Sequence, residues 1–192
     1  MRFFIPSLIF AHFCISPHKM LRKSLYGGRS MEQYLPRGKR TTPQGSAFAR
    51  DVYRAFLDEL QAMTSYVQGA VLLARHLPAV ARLFDEIARV ELSHYEQLGQ
   101  LLLHLDITPS VNTRLRQEPP RFGLNATTEA SLFARHTMHE KIKDEERGAA
   151  EYRRLASATD EKRERDMLLF LAEEELQHAA ALQGMLERFE RS

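Results

Sequence analysis

Cysteine is nearly missing from this chain: 192 residues hold one, Cys14, close to the N-terminus. The body can therefore form no internal disulfide and no thiolate site for zinc or iron. A reducing compartment is compatible with that. Glycine and proline are scarce after residue 45, which leaves few natural breaks in the rest of the chain. An excess of charge of one sign is lacking too, since the formal net charge is only +2. Residues 1–40 carry a local balance of +7, so the remaining 152 residues carry −5. No basic face of the kind that binds nucleic acid is expected, and nucleic acid is discounted as a partner. Long apolar runs are lacking as well. Residues 3–15, which follow Arg2, resemble the apolar region of a secretory signal, but they are too short to span a membrane as a helix. Pro6 and His12 interrupt that run, and no clear small-residue cleavage site comes after it. The favoured expectation is that translation starts at Met31 and that the location is cytoplasmic, an export signal being less favoured. Residues 1–45 read as an extension and linker, disordered or a mis-assigned start, and 46–192 as one domain.

Four long segments with a 3-4 spacing of inward-type residues make up that domain. The first, which Ser46 can cap, presents Val52, Phe56, Glu59, Met63, Tyr66, Ala70 and Leu73. The second opens at Pro78 and presents Phe84, Ile87, Glu91, His94, Leu98, Leu101 and Leu105. The third, entered through Thr127 and Thr128, presents Met138, Ile142, Glu145, Ala149, Tyr152 and Ala156. After a turn at residues 157–160 the fourth presents Leu168, Leu171, Glu175, His178, Leu182, Met185 and Phe189. The pattern predicts an all-α four-helix bundle of two hairpins. The joining segment, about 20 residues long, could reach roughly 65 Å, more than the roughly 40 Å of a helix this long, so a crossover between helices 2 and 3 is within reach.

Glu and then Glu-x-x-His occur twice, as Glu59 with Glu91 and His94, and as Glu145 with Glu175 and His178. The first Glu precedes its partner motif by 32 residues in one half and by 30 in the other. All six residues fall on seams where a bundle expects leucine. Buried carboxylates at one level repel one another and cost several kcal/mol each unless something positive lies between them. One Glu from each of two helices and a Glu-x-x-His from each of the other two is the donor set of a two-metal site inside a bundle. Two divalent ions bring the positive charge that four glutamates cancel. Imidazole with carboxylate suits iron, manganese or zinc better than calcium. Among neighbouring acids, Glu145 is preferred to Glu140, Asp144 and Glu146 by its seam position. Glu86, Glu173 and Glu174 read as surface charges or as charges just outside the ligands, and His76, His104, His136 and His139 as ordinary polar histidines.

The repeat runs on past the ligands. Glu59-Leu-Gln-Ala62-Met-Thr-Ser-Tyr66 is matched by Glu145-Glu-Arg-Gly148-Ala-Ala-Glu-Tyr152. Small residues at the fourth place leave room for a cluster. Each tyrosine is either an amphipathic core residue or a hydroxyl donor to a ligand carboxylate.

Residues 46–190 resemble the ferritin-like superfamily of di-iron and di-manganese carboxylate proteins. Ala-Glu-Glu-Glu-Leu-Gln-His at 172–178 is similar to the fourth helix of rubrerythrins. Glu-Leu-Ser-His-Tyr-Glu-Gln-Leu-Gly at 91–99 is similar to the second helix of manganese catalases and their spore-coat relatives. The resemblance implies two iron or two manganese ions per chain and hydrogen peroxide as substrate, reduced in the first family and disproportionated in the second. It assigns Glu59, Glu91 and His94 to one metal, and Glu145 and His178 to the other. Glu91 is then a bridge, and Glu175 is a second bridge or, as in manganese catalases, a residue just behind the metals. A rubrerythrin with a four-cysteine rubredoxin-like domain carries its own electron relay. This sequence has no such cysteines, so peroxide reduction would draw on a separate electron-donor protein, whereas disproportionation needs none. A homo-oligomer is expected. The alternatives are an iron-oxidising, iron-handling protein and a structural spore-coat component.

Overall fold

The computed structural model describes residues 46–111 and 126–191. The extension at 1–45, with Cys14 and both candidate starts, lies outside the described residues, as does the middle of the segment between the hairpins. The described residues form four helices, α1 (Ala47–Leu73), α2 (Pro78–His104), α3 (Thr127–Ser157) and α4 (Lys162–Glu190), and no strand. None of these helices is long and apolar enough to cross a membrane.

Local chemistry sets the helix ends. The Ser46 hydroxyl accepts from Ala49 N at 3.2 Å, meeting one of the free N–H groups of the first turn of α1. Pro78 opens α2, where its missing N–H costs nothing. α2 stops at Asp106, whose φ of 61° is left-handed. Asp106 N and Ile107 N then donate back to Leu103 O and Leu102 O, closing the final turn. α3 starts at Thr127 as expected, but the capping position is Ala126, with no side-chain bond.

α1 packs on α2 and α3 on α4, and thinner contacts join α1 to α3 and α2 to α4. Cross-links show that α1 and α3 run antiparallel. Arg154 Nη2 of α3 meets Asp51 Oδ2 near the start of α1 at 2.7 Å, and Thr127 Oγ1 lies 3.5 Å from His76 Nδ1 just beyond the end of α1. The end of α2 and the start of α3 therefore lie at opposite ends of the bundle. The seam pattern predicts the four helices and their pairing, and these end positions are the ones a crossover between helices 2 and 3 requires.

The core comes in two pieces. One apolar cluster gathers Val52, Phe56, Leu98, Leu101, Leu155 and Leu168; the other gathers Tyr66, Phe84, Ile87, Met138, Leu182 and Leu186. Between them lies a buried polar layer of Glu59, Glu91, His94, Glu145, Glu175 and His178. Most seam residues are buried as expected, while Met63, Ala70, Ile142, Met185 and Phe189 are only half-buried.

At Gly69, α1 leaves no room for a side chain against α2. A Cβ there would stand 2.6 Å from Phe84 Cδ2, and the fully buried Phe84 ring meets Tyr66 edge-on with centroids 5.4 Å apart. Gly69→Ala is expected to cost about 1–3 kcal/mol through overpacking. A thermal melt of the variant that coincides with the parent's would show that the helices part without strain.

Candidate metal centre

All six residues singled out by their spacing meet at mid-bundle. Their donor atoms form two overlapping buried groups, Glu59, Glu91, His94 and Glu175 in one, Glu91, Glu145, Glu175 and His178 in the other, with the atoms of each group within 4.8 Å of one another. Glu91 and Glu175 belong to both. His94 Nδ1 lies 3.0 Å from Glu175 Oε1, 3.4 Å from Glu91 Oε2 and 3.7 Å from Glu59 Oε2. His178 Nδ1 lies 2.9 Å from Glu91 Oε1, 3.2 Å from Glu145 Oε2 and 3.8 Å from Glu175 Oε2. The imidazole rings run nearly parallel, with centroids 5.7 Å apart.

The donors fit a pair of metal ions better than they fit one another. Glu91 Oε1, His94 Nδ1 and Glu175 Oε1 are buried and close to oppositely charged neighbours, yet none has a hydrogen-bond partner among the described residues. They approach without hydrogen-bond alignment, as groups do when their lone pairs converge on a common point. Three carboxylates and one imidazole at each position suit iron or manganese. The histidines could hold one ion each, with Glu59 on one side, Glu145 on the other, and Glu91 and Glu175 between the two.

Protonation follows from burial and mutual charge. Burial pushes the Glu59 and Glu145 carboxyls well above the usual carboxylate range, and the Glu91 charge adds to the effect. Burial pushes Glu91 the same way, but the adjoining Glu59 carboxyl, the charge of His178 and the close approach of both imidazoles hold it well below that range. Glu175 is likewise brought to about 2, against burial and the Glu91 charge, by the close approach of Glu145, His178 and His94. Burial alone would strip His94 and His178 of their protons, yet the carboxylates around them hold both well above the ordinary imidazole range. With protons alone, the layer thus balances two carboxylates against two imidazoliums and keeps two acids neutral.

The tyrosines act across the bundle. Tyr66 on α1 donates to Glu145 Oε1 on α3, and Tyr152 on α3 donates to Glu59 Oε1 on α1. Each hairpin therefore steadies the other hairpin's glutamate. Burial, followed by the charge of the bonded carboxylate, keeps both phenols protonated well past their ordinary range.

A cleft of about 470 Å³ opens from the surface between α1 and α3. Glu59, Glu91, Glu145 and Glu175 line it, while neither histidine does. Ala62 and Gly148, at matching places in the repeat, stand on its two walls, and a Cβ on Gly148 would sit 3.5 Å from Glu175 Cδ. Small solutes can thus reach the carboxylate side of the centre, and the imidazoles lie away from the opening.

Spacing alone leaves the role of Glu174 open between the surface and a place just outside the ligands. It is buried, with Oε2 3.2 Å from His94 Nε2, whereas Glu173 is exposed. Glu164 is a residue that spacing misses altogether. It is fully buried near the start of α4, accepts from Thr159 Oγ1 at 2.5 Å and lies 3.8 Å from His104 Nε2. The only sequence signal for it is an acid in a first turn that comes after a threonine in the loop.

No curated protein and no solved structure matches the chain at a significant level. Residues 52–186, which span all four helices and all six residues of the centre, match the family model described as Rubrerythrin, and the chain belongs to the rubrerythrin family.

Proposed function

We propose that this protein is an oxidoreductase that removes hydrogen peroxide at a centre of two iron or two manganese ions held by Glu59, Glu91, His94, Glu145, Glu175 and His178. The observation that carries the reading is the pair of buried donor groups sharing Glu91 and Glu175, open to small solutes through the α1–α3 cleft. Family membership supports it.

When bound, a pair of ions that each change oxidation state by one supplies the two electrons that peroxide chemistry exchanges. The protein's share is position and charge. Glu91 and Glu175, which belong to both donor groups, would hold both ions. Tyr66 and Tyr152 hold the outer carboxylates of Glu145 and Glu59 in place, so those groups keep their orientation when the charge of the centre changes. The two apolar clusters seal the layer above and below, which leaves the cleft as the approach for peroxide.

The test uses the full chain loaded with manganese or with ferrous iron. Release of one dioxygen for every two peroxides consumed identifies disproportionation. Consumption that requires a reduced donor protein and releases no dioxygen identifies peroxide reduction. Loaded protein that does neither overturns the proposal.

A further inference from the structure

The two histidines of the centre are held differently from behind. His94 turns Nδ1 toward Glu59, Glu91 and Glu175, and its outer nitrogen, Nε2, lies 3.2 Å from Glu174 Oε2. His178 turns Nδ1 toward Glu91, Glu145 and Glu175, but its Nε2 is buried with no hydrogen-bond partner among the described residues. The inner donors do not account for any difference between the positions, because each offers three carboxylates and one imidazole.

The internal repeat locates the cause. In α4 the motif reads Glu174-Glu175-Leu-Gln-His178, and the residue before its glutamate reaches across to the imidazole on α2. In α2 the matching motif reads Val90-Glu91-Leu-Ser-His94, and Val90 is a buried member of an apolar cluster. A carboxylate behind a ligand imidazole takes the outer N–H, fixes the tautomer and the ring orientation, and makes the inner nitrogen a stronger donor. His94 has that support and His178 does not. Glu174 also places a fifth buried carboxylate on the His94 side, which favours a cation there.

We propose that Glu174 makes the two metal positions unequal: the position at His94 fills first and holds its ion more tightly, and the position at His178 is the exchangeable one. Glu174 acts through His94 and is a positioning residue. The inference rests on reading the two donor groups as a metal centre, and the experiment separates the two claims.

The metal-free full chain is titrated with manganous ion by calorimetry, and circular dichroism establishes that each variant is folded. Two resolved steps are expected, the first about 10- to 100-fold tighter than the second. Glu174→Leu weakens the first step by about that factor and leaves the second, so that the steps merge. Glu174→Gln, which keeps an oxygen for the Nε2 proton without the charge, falls between Glu174→Leu and the parent and decides the matter if Glu174→Leu does not fold. Val90→Glu, which puts a carboxylate behind His178, tightens the second step alone. Two equal steps in the parent, or a Glu174→Gln chain whose two steps weaken alike, overturn the inequality while leaving the metal centre intact. A parent chain that takes up no metal overturns the centre and the inequality together.

Discussion

Replacing Glu91 with glutamine is expected to cost the chain both of its metals. Glu91 belongs to both donor groups, with one oxygen 3.4 Å from His94 Nδ1 and the other 2.9 Å from His178 Nδ1. A carboxamide preserves its size but loses the charge, and it turns one of the two donors into an NH₂ group that faces a cation. Three ligand carboxylates instead of four would then face the two divalent ions, and both donor groups would lose one of their three. Metal content measured after desalting should fall from roughly two ions per chain to well below one, with affinity reduced by more than about 100-fold at each position. Metal at 100 times its dissociation constant stabilises the parent by about 2.7 kcal/mol for each ion bound, and the matching rise in melting temperature should vanish in the variant. Glu145→Gln is the contrast, because Glu145 belongs to one donor group only and its loss should release one ion. A Glu91→Gln chain that keeps both ions would remove Glu91 from the centre.

Metal-free and metal-loaded chains should respond to pH in opposite senses. The fold raises Glu59 and Glu145 above the ordinary 4.5, and His94 and His178 above 6.5. It therefore favours their protonated forms. Their stabilisation is complete below those ordinary values and drains away as the pH rises through the raised ones. Glu91 and Glu175 are lowered, so their contribution is present above 4.5 and is lost as the pH falls, toward about 2 for Glu175. The metal-free chain should accordingly be most stable in mild acid and weaken steadily through neutrality, as four carboxylates come to share one layer without a cation. Metal loading reverses the trend. Each ion displaces about two protons, one from a glutamic acid and one from an imidazolium, so its affinity rises about 100-fold per pH unit while those groups remain protonated. Melting temperatures of chelated and loaded protein between about pH 5 and pH 8 should diverge as the pH rises. Parallel curves would mean that the centre does not exchange protons for metal.

The bundle is legible in the sequence because its seams are regular, and the centre because its glutamates and histidines interrupt those seams where leucine is expected. Phe84, Ile87, Leu98 and Leu101 mark the α2 seam, and Glu91 and His94 lie on the same line at full burial. Spacing fixes the face of a helix on which a side chain lies, but not the partner across the interface. Tyr66 is therefore placed correctly on the glutamate face, while its bond to Glu145, rather than to a residue of its own hairpin, depends on how α1 and α3 are set against each other. Glu173, Glu174 and Glu175 differ by one residue each, about 100° of rotation per step. Periodicity identifies Glu175 as the inward one, but it cannot tell which flank of that position faces α2, so Glu174 behind His94 is beyond its reach. Met63 is half-buried although it lies on the seam, since burial depends on how the helices are assembled and not on α1 alone.

Each hairpin contributes half of the centre, one Glu and one Glu-x-x-His, so two copies of a single hairpin related by a two-fold axis would suffice to build it. Such a dimer would have to treat its two metals alike, since any residue placed behind one histidine would recur behind the other. The segment that joins the hairpins into one chain removes that obligation. Val90 and Glu174 occupy the same place in their motifs and need not be the same residue. Covalent linkage of the two halves is thus what allows one metal position to be altered while the other is left as it was.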